Sequence, residues 1–164
     1  GNAWFVDNIN WVPNADEEIK ALGDFSPGKS VVVDERYKDI VKPIVEGYDS
    51  IAQIKLLENN PNSLKYEYSS SKDQLAVFSE IYYKGNKDWK AYIDGEYAPH
   101  FRANYVLRAM NLPSGKKKIL EFRFEPVSFY TGEKIALASS VVVALLMLAL
   151  IAFKLKGKSV LEEA

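Results

Sequence analysis

The sequence predicts a mainly β protein: an antiparallel β-sandwich, jelly-roll-like, with a short N-terminal helix and a C-terminal transmembrane helix. Two observations predict the sandwich. Six to eight short segments alternate polar and apolar residues, and turn residues such as Ser26-Pro27-Gly28 separate them. A third observation predicts the membrane helix, because the nineteen residues from Ile135 to Phe153 carry no charge.

Residues 1–28 are predicted to form an aromatic N-terminal arm and a short helix. Asn2–Val12 (NAWFVDNINWV) is expected to be irregular and to pack against the domain or near the membrane surface. In the next segment Asn14 or Asp16 can cap a helix, the acidic residues suit its positive end, and Gly23 can end it. This segment has room for two or three helical turns.

Residues 29–130 are predicted to form the sandwich. The predicted strands are Ser30–Asp34, Ile51–Glu58, Ser63–Ser69, Leu75–Tyr83, Trp89–Ile93, Val106–Leu112 and Lys118–Glu125. The alternation is cleanest in the third of these, where Leu64, Tyr66 and Tyr68 fall on one face. The segment 36–50 is left ambiguous, because a proline and a glycine interrupt it.

Residues 131–164 are predicted to form the transmembrane helix and a short basic tail. At about 1.5 Å per residue the uncharged run spans roughly 28 Å. Eleven of its nineteen residues are Val, Leu, Ile or Phe, and these contribute about −3 to −7 kcal/mol toward insertion. Lys154, Lys156 and Lys158 follow the run, which predicts a cytoplasmic tail and an extracytoplasmic location for residues 1–134. We therefore expect the chain in the cytoplasmic (inner) membrane.

Charge and cysteine content exclude several classes of function. Residues 1–134 hold 18 Lys/Arg and 20 Asp/Glu without a long basic block, so nucleic acid is not an expected partner. The absence of Cys excludes disulfides, thiolate zinc sites and thiol catalysis. The N-terminus has no signal-peptide pattern. We therefore expect a segment upstream of Gly1 to carry the domain across the membrane, in a longer protein.

The sequence contains no recognisable catalytic motif. It has no P-loop, dinucleotide-binding fingerprint, nucleophile elbow or Asp-x-Asp motif, so we predict no catalytic residue, no metal site and no cofactor. His100 is the single histidine and lies in the segment APHFRAN. Asp34 and Glu35 would point to opposite faces of a strand and cannot act together. A free-standing hydrolase is therefore not favoured.

The segment Trp89–Pro126 contains the candidate binding residues. Seven aromatic or polar side chains in it could contact a glycan or a partner: Trp89, Tyr92, Asp94, Tyr97, His100, Arg102 and Asn104. The alternative is structural. Trp89 and Tyr92 would then fill the core, since aromatic residues on strands mostly pack, and Asp94-Gly95 would shape a tight hairpin.

The same segment resembles a known family. WKAYIDG at 89–95, RANYVLRA at 102–109 and LPSGKKKILEFRFEP at 112–126 follow GNAWFVDNINWV and VVVDERY and precede the apolar helix. In this order they resemble the C-terminal region of bacterial YfhO-type integral membrane proteins, over essentially the whole chain. The resemblance implies a polytopic protein like the GT-C glycosyltransferases. Such proteins use lipid-linked sugar donors and are associated with glycosylation of cell-envelope polymers such as lipoteichoic acid.

The resemblance implies that the chemistry lies outside this chain, because the acidic catalytic residues of such enzymes lie between early transmembrane helices. We therefore expect an extracytoplasmic accessory domain plus the last membrane helix of a YfhO-like protein. The expected partners are the lipid bilayer, the upstream transmembrane helices and cell-envelope glycan. The alternative function is a non-catalytic structural or protein-interaction module, a carbohydrate-binding-like sandwich whose Trp4–Trp11 arm docks on protein or on the membrane interface.

Overall fold

The computed structural model describes residues 2–42, 47–83 and 85–162. In these ranges the elements are β1 (Ala3–Val6), β2 (Asn8–Val12), α1 (Ala15–Ala21), β3 (Ser30–Asp34), β4 (Gln53–Asn60), β5 (Ser63–Ser70), β6 (Gln74–Ile81), β7 (Trp89–Ile93), β8 (Glu96–Tyr97), β9 (Phe101–Ala103), β10 (Leu107–Leu112), β11 (Gly115–Phe124) and α2 (Val127–Glu162). Short 3-10 turns lie at Leu22–Asp24, Glu35–Tyr37 and Gly85–Lys87. The chain divides into two compact units, Gly1–Glu125 and Pro126–Ala164. The predicted class, mainly β with a short N-terminal helix and a C-terminal apolar helix, is confirmed.

Two antiparallel sheets enclose the main core of the first unit. The four-stranded sheet has the order β1-β6-β10-β9, and the five-stranded sheet has the order β4-β5-β11-β7-β8. Large core side chains come from both sheets: Phe5, Phe78, Met110 and Leu112 from the first, and Leu64, Tyr66, Tyr68, Leu120 and Phe122 from the second. The rings of Phe78 and Phe122 meet edge to face, with their centroids 5.0 Å apart. This contact joins the two layers of the predicted sandwich.

The alternation in β5 shows how the sequence sets the register of the second sheet. Leu64, Tyr66 and Tyr68 are buried, whereas Lys65 and Glu67 between them are only partly buried on the other face. A strand turns successive side chains to opposite faces, so one slip of register would expose all three apolar groups. The face predicted from the sequence is confirmed.

A small parallel pair, β2-β3, covers the outer face of the four-stranded sheet. The two strands pair in register from Asn8↔Ser30 to Val12↔Asp34. Their inward side chains join a second core cluster, which includes Val6, Val31, Val33, Leu75, Val77, Phe101 and Ala109. Because both of its faces are covered, the four-stranded sheet tolerates nearly continuous apolar runs in its inner strands.

The structure corrects the prediction of an irregular N-terminal arm. Asn2–Val12 contains β1, which pairs with β6 (Trp4↔Val77), and β2. Trp4 and Trp11 pack against the second core cluster, and Trp4 Nε1 donates a hydrogen bond to the Pro27 carbonyl oxygen at 2.7 Å. Strands of four and five residues are too short to show a period, and their partners lie far along the chain. The arm is therefore part of the sandwich.

The short helix α1 follows its predicted boundary. Of the two possible caps, Asn14 is used, and its Oδ1 accepts a hydrogen bond from the Glu17 backbone N–H at 3.0 Å. Gly23 lies in the 3-10 turn after the helix. The inward face of α1 carries Glu18, whose side chain is fully buried.

The second unit is the apolar helix α2. Its segment Val127–Ile151 has a mean hydropathy of 2.5, none of the most apolar stretch is buried, and by length and composition it is able to cross a membrane. The hydroxyls of Ser139 and Ser140 donate to the backbone oxygens of Ile135 and Ala136, at 2.8 and 2.9 Å. These bonds satisfy the two polar side chains within the helix, as hydrocarbon surroundings would require. A candidate transmembrane helix is therefore present where the sequence predicts one.

Candidate functional site

The β7–β8 hairpin carries four of the seven predicted contact residues, Trp89, Tyr92, Asp94 and Tyr97. Asp94 and Gly95 form its turn with φ angles of +51° and +89°, and Ile93 pairs with Glu96 across it. Positive φ at both central positions matches the right-handed twist of the strands, which is why Asp-Gly is favoured here. The turn places Tyr97 opposite Tyr92.

A cavity of about 480 Å³ opens beside this hairpin, and we call it the Tyr97 cleft. Its polar lining comes from five separate segments: Lys42, Asp73, the hairpin residues Asp94, Glu96 and Tyr97, Asn111, and Lys118. The cleft lies where β7 and β10 end and β6 begins, since Ile93, Pro113 and Asp73 all line it. It therefore occupies one end of the sandwich.

Asp94 contributes to the cleft as a fixed acceptor. Its Oδ1 accepts a hydrogen bond from the Ile119 backbone N–H at 2.9 Å, and its Oδ2 pairs with Lys118 Nζ at 2.9 Å. The backbone hydrogen bond, followed by the contact with Lys118, holds the pKa of this carboxyl below its usual value. Asp94 is therefore ionised at neutral pH and immobilises the ammonium group of Lys118 at the rim.

Tyr97 is the exposed aromatic group of the cleft, with 54% of its surface accessible. The ring of Tyr92 supports it edge to face, with the centroids 6.2 Å apart. Tyr92 is itself fixed, because its hydroxyl donates to Glu125 Oε2 at 3.1 Å and the Arg123 guanidinium lies 4.8 Å from its ring. Burial and the neighbouring Glu125 raise the pKa of Tyr92. Tyr92 therefore acts as a support for Tyr97.

Asn111 forms part of the cleft wall, but its side-chain amide is hydrogen-bonded to backbone groups. Its Oδ1 accepts from the Lys42 N–H at 3.1 Å, and its Nδ2 donates to the Ile40 carbonyl oxygen at 3.0 Å. These two bonds fasten the segment around residue 41 to β10. Lys42, Asp73 and Glu96 remain the charged lining groups that are available to a ligand.

Trp89 lies away from Tyr97, at the other end of β7. The Arg108 guanidinium lies 4.2 Å from its ring centroid, and the Phe124 ring is 5.3 Å away. At about 3.3 Å per residue, a five-residue strand separates its ends by roughly 13 Å. Trp89 and Tyr97 therefore do not contribute to one binding surface.

His100 is fully buried and does not reach the cleft. Its ring meets Tyr82 and Phe122 edge to face, each with centroids 5.4 Å apart. The Asn86 side chain makes two hydrogen bonds with the His100 backbone. Its Nδ2 donates to the His100 carbonyl oxygen at 2.6 Å, and its Oδ1 accepts from the His100 N–H at 3.0 Å. Burial, with a smaller effect from Arg108, lowers the pKa of His100 to about 3, so the ring is neutral at physiological pH. Its role in this structure is packing.

Arg102 and Asn104 belong to an internal network rather than to a surface. Arg102 Nη2 pairs with Glu18 Oε2 at 2.6 Å, and the Tyr105 N–H donates to Glu18 Oε1 at 2.8 Å. Asn104 exchanges two 2.8 Å hydrogen bonds with the backbone of Val32, one through its N–H and one through its Oδ1. These bonds fasten β9 to α1 and β3.

The structure thus brings Asp94 and Tyr97 into one cleft, with Tyr92 behind them, and places the other four predicted residues elsewhere. The sequence gives no signal for the cleft residues Lys42, Asp73 and Lys118, because they come from distant segments. Among the residues that the structure describes, no group of three or more His, Cys, Asp or Glu side chains is arranged to hold a metal ion. The cleft offers hydrogen bonds, charge and an aromatic edge.

Comparisons with family models, with curated proteins and with solved structures find no match for this chain.

Proposed function

We propose that this chain is an extracytoplasmic accessory domain with its membrane helix, part of a YfhO-like polytopic membrane protein, and that its sandwich holds cell-envelope glycan. The observation that carries the proposal is the Tyr97 cleft. An exposed aromatic ring lies there beside the charged groups of Lys42, Asp73 and Glu96. Sugar rings present an apolar C–H face and a rim of hydroxyls, and such a cleft can meet both.

The rigidity of the hairpin supports a binding role. Asp94 fixes the turn to β11, and Tyr92 with Glu125 fixes the ring behind Tyr97. A preorganised aromatic group loses little conformational entropy when a ligand binds, so weak contacts to a polymer retain more of their binding energy. Many such contacts along a polymer raise its local concentration beside a catalytic site upstream in the same protein.

The helix α2 supports the membrane part of the proposal. It provides an apolar segment, Val127–Ile151, with three lysines after it in the sequence. With those lysines on the cytoplasmic side, the sandwich faces the envelope, where lipid-linked sugars and their acceptor polymers are used. In this arrangement the domain supplies binding, and residues upstream of the chain supply the chemistry.

The Tyr97→Ala substitution tests this function. The full chain is placed in lipid nanodiscs, which avoid sugar-based detergents, and binding to purified lipoteichoic acid is measured by calorimetry. We expect Tyr97→Ala to weaken binding at least about fivefold, since a stacked aromatic group contributes roughly 1 kcal/mol or more. Tyr48→Ala is the matched control, because Tyr48 is similarly exposed (45%) and does not line the cleft.

Equal affinities for the two variants and the parent chain, with unchanged folding, would show that the cleft does not bind glycan. No binding by the parent chain would favour the structural or protein-interaction module instead.

A further inference from the structure

A second cavity, of about 380 Å³, opens at the opposite end of the sandwich from the Tyr97 cleft. We call it the Arg108 pocket. Its lining includes Asn62, Glu80, Tyr83, Trp89, Arg108 and Phe124. These residues lie at the start of β7 and β10 and at the end of β6 and β11, whereas the Tyr97 cleft lies at the other ends of β7 and β10. The pocket therefore shares none of the groups used in the function proposed above.

Arg108 is an unusual residue for the interior of a sandwich. It precedes Met110 and Leu112 at two-residue spacing on β10, so its side chain enters the space between the sheets, and it is 3% exposed. Its Nε donates to the Ile81 carbonyl oxygen at 3.0 Å, and its guanidinium stacks on Trp89. Its Nη1 is buried without a hydrogen-bond partner among the described residues. A buried cationic group with an unpaired donor is costly, so this guanidinium calls for a further oxygen acceptor.

Glu80 supplies the opposite charge in the same pocket. It follows Phe78 at two-residue spacing on β6, so it enters the inter-sheet space beside Arg108, and it remains partly exposed. The charges of Glu80 and Arg108 cancel, and a further anion would be repelled by the carboxylate. A neutral ligand that accepts at Arg108 and donates to Glu80 satisfies both groups. Hydroxyl groups on adjacent carbons do this with one molecule.

The walls of the pocket fit the rest of such a ligand. Trp89, Phe124 and Tyr83 give it an apolar rim, suited to the C–H face of a sugar ring. In the core behind it, the Tyr66 hydroxyl and both ring nitrogens of His100 likewise find no hydrogen-bond partner within the described part of the chain.

We propose that the Arg108 pocket binds one ring of a neutral hexopyranose. One ring or hydroxyl oxygen accepts a hydrogen bond from the Arg108 guanidinium, and a neighbouring hydroxyl donates to the Glu80 carboxylate. The apolar face of the sugar lies against the aromatic rim. This site goes beyond the function proposed above, because it stands on other residues and would exist whether or not the Tyr97 cleft binds glycan.

Fluorine NMR on the full chain in lipid nanodiscs tests the site. The three tryptophans, Trp4, Trp11 and Trp89, are replaced by 5-fluorotryptophan and assigned with Trp89→Phe. The probes are the methyl glycosides of glucose, galactose, mannose and N-acetylglucosamine, with glucuronate and inorganic phosphate as anionic comparisons. We expect at least one neutral glycoside to shift the Trp89 signal saturably, with a Kd in the millimolar range. The Trp4 and Trp11 signals should stay in place.

Glu80→Gln is the diagnostic variant, and Glu67→Gln is its control on the outer face of the five-stranded sheet. Glu80→Gln should raise the Kd about tenfold, because its amide is a weaker acceptor and Arg108 loses its counter-charge. Glu67→Gln and Tyr97→Ala should leave the Kd unchanged, which separates this pocket from the cleft. The proposal is overturned by any of three results: no saturable Trp89 shift with any neutral glycoside, equal affinities in Glu80→Gln and the parent, or a preference for the anions.

Discussion

Among single residues, Glu18 shows most clearly how a charge can serve the fold. It is fully buried, and its two oxygens are taken by Arg102 and by the Tyr105 N–H. A buried carboxylate is tolerated because both oxygens are paired, and the pair fixes α1 to the segment after β9. Asp34 extends this network, lying 3.9 Å from Arg102 and 2.6 Å from Arg36.

Replacing Glu18 with Ala should destabilise the sandwich by about 3 kcal/mol, because it leaves the Arg102 charge without its close partner. Glu17→Ala on the same helix should cost no more than about 0.5 kcal/mol, since the Glu17–Lys20 pair is exposed. Urea unfolding of the full chain, followed by tryptophan fluorescence, measures both. Similar midpoints for the two variants would show that the network does not hold the helix.

The sequence could identify only part of the candidate site. It placed Asp94 and Tyr97 correctly on a hairpin, because an Asp-Gly pair between apolar residues favours a tight hairpin turn. It could not show that Trp89 and Tyr97 lie at different ends of one strand, or that Arg102 is held by Glu18. Those facts depend on side-chain partners that are distant in the chain.

The β7–β8 hairpin is the element on which the cleft depends. Its turn requires positive φ at both central residues, and Gly95, at +89°, adopts a conformation that an L side chain strains to reach. A Cβ at this position would meet no atom within 4 Å, so the cost of a substitution is conformational rather than steric.

Gly95→Ala should therefore destabilise the sandwich by about 1–2 kcal/mol. Gly28→Ala is the matched control, because a Cβ there also meets no atom within 4 Å and its backbone φ is not in the left-handed region. Thermal unfolding of the two variants gives the comparison. A drop in stability confined to Gly28→Ala would contradict the assigned turn.

Strand prediction succeeded where the alternation was long enough to read. β3 and β7 have the predicted bounds, and β5 is one residue longer than predicted. β1, β2 and β9 were missed, since each has five residues or fewer. β1 in addition pairs with β6, a strand distant in the sequence. The parallel pairing of β2 with β3 has no local signature, because nothing in either strand specifies its partner.

The chain combines a sandwich of two antiparallel sheets with an apolar helix, and its proposed role depends on which side of the membrane each part occupies. The helix was predictable, because an uncharged run of nineteen residues is long enough by itself to indicate a transmembrane helix. Its orientation depends on three lysines in the tail, and the glycan-holding role requires the sandwich to be outside the cytoplasm.

Cysteine labelling in intact bacteria that express the protein tests this orientation directly. The chain has no native cysteine, so Ser79→Cys, on an exposed position of β6, and Ser159→Cys, after the three lysines, each give one thiol. A membrane-impermeant maleimide should modify Ser79→Cys in intact cells and Ser159→Cys only after the membrane is opened. The reverse pattern would place the sandwich in the cytoplasm and contradict its proposed role at the cell envelope.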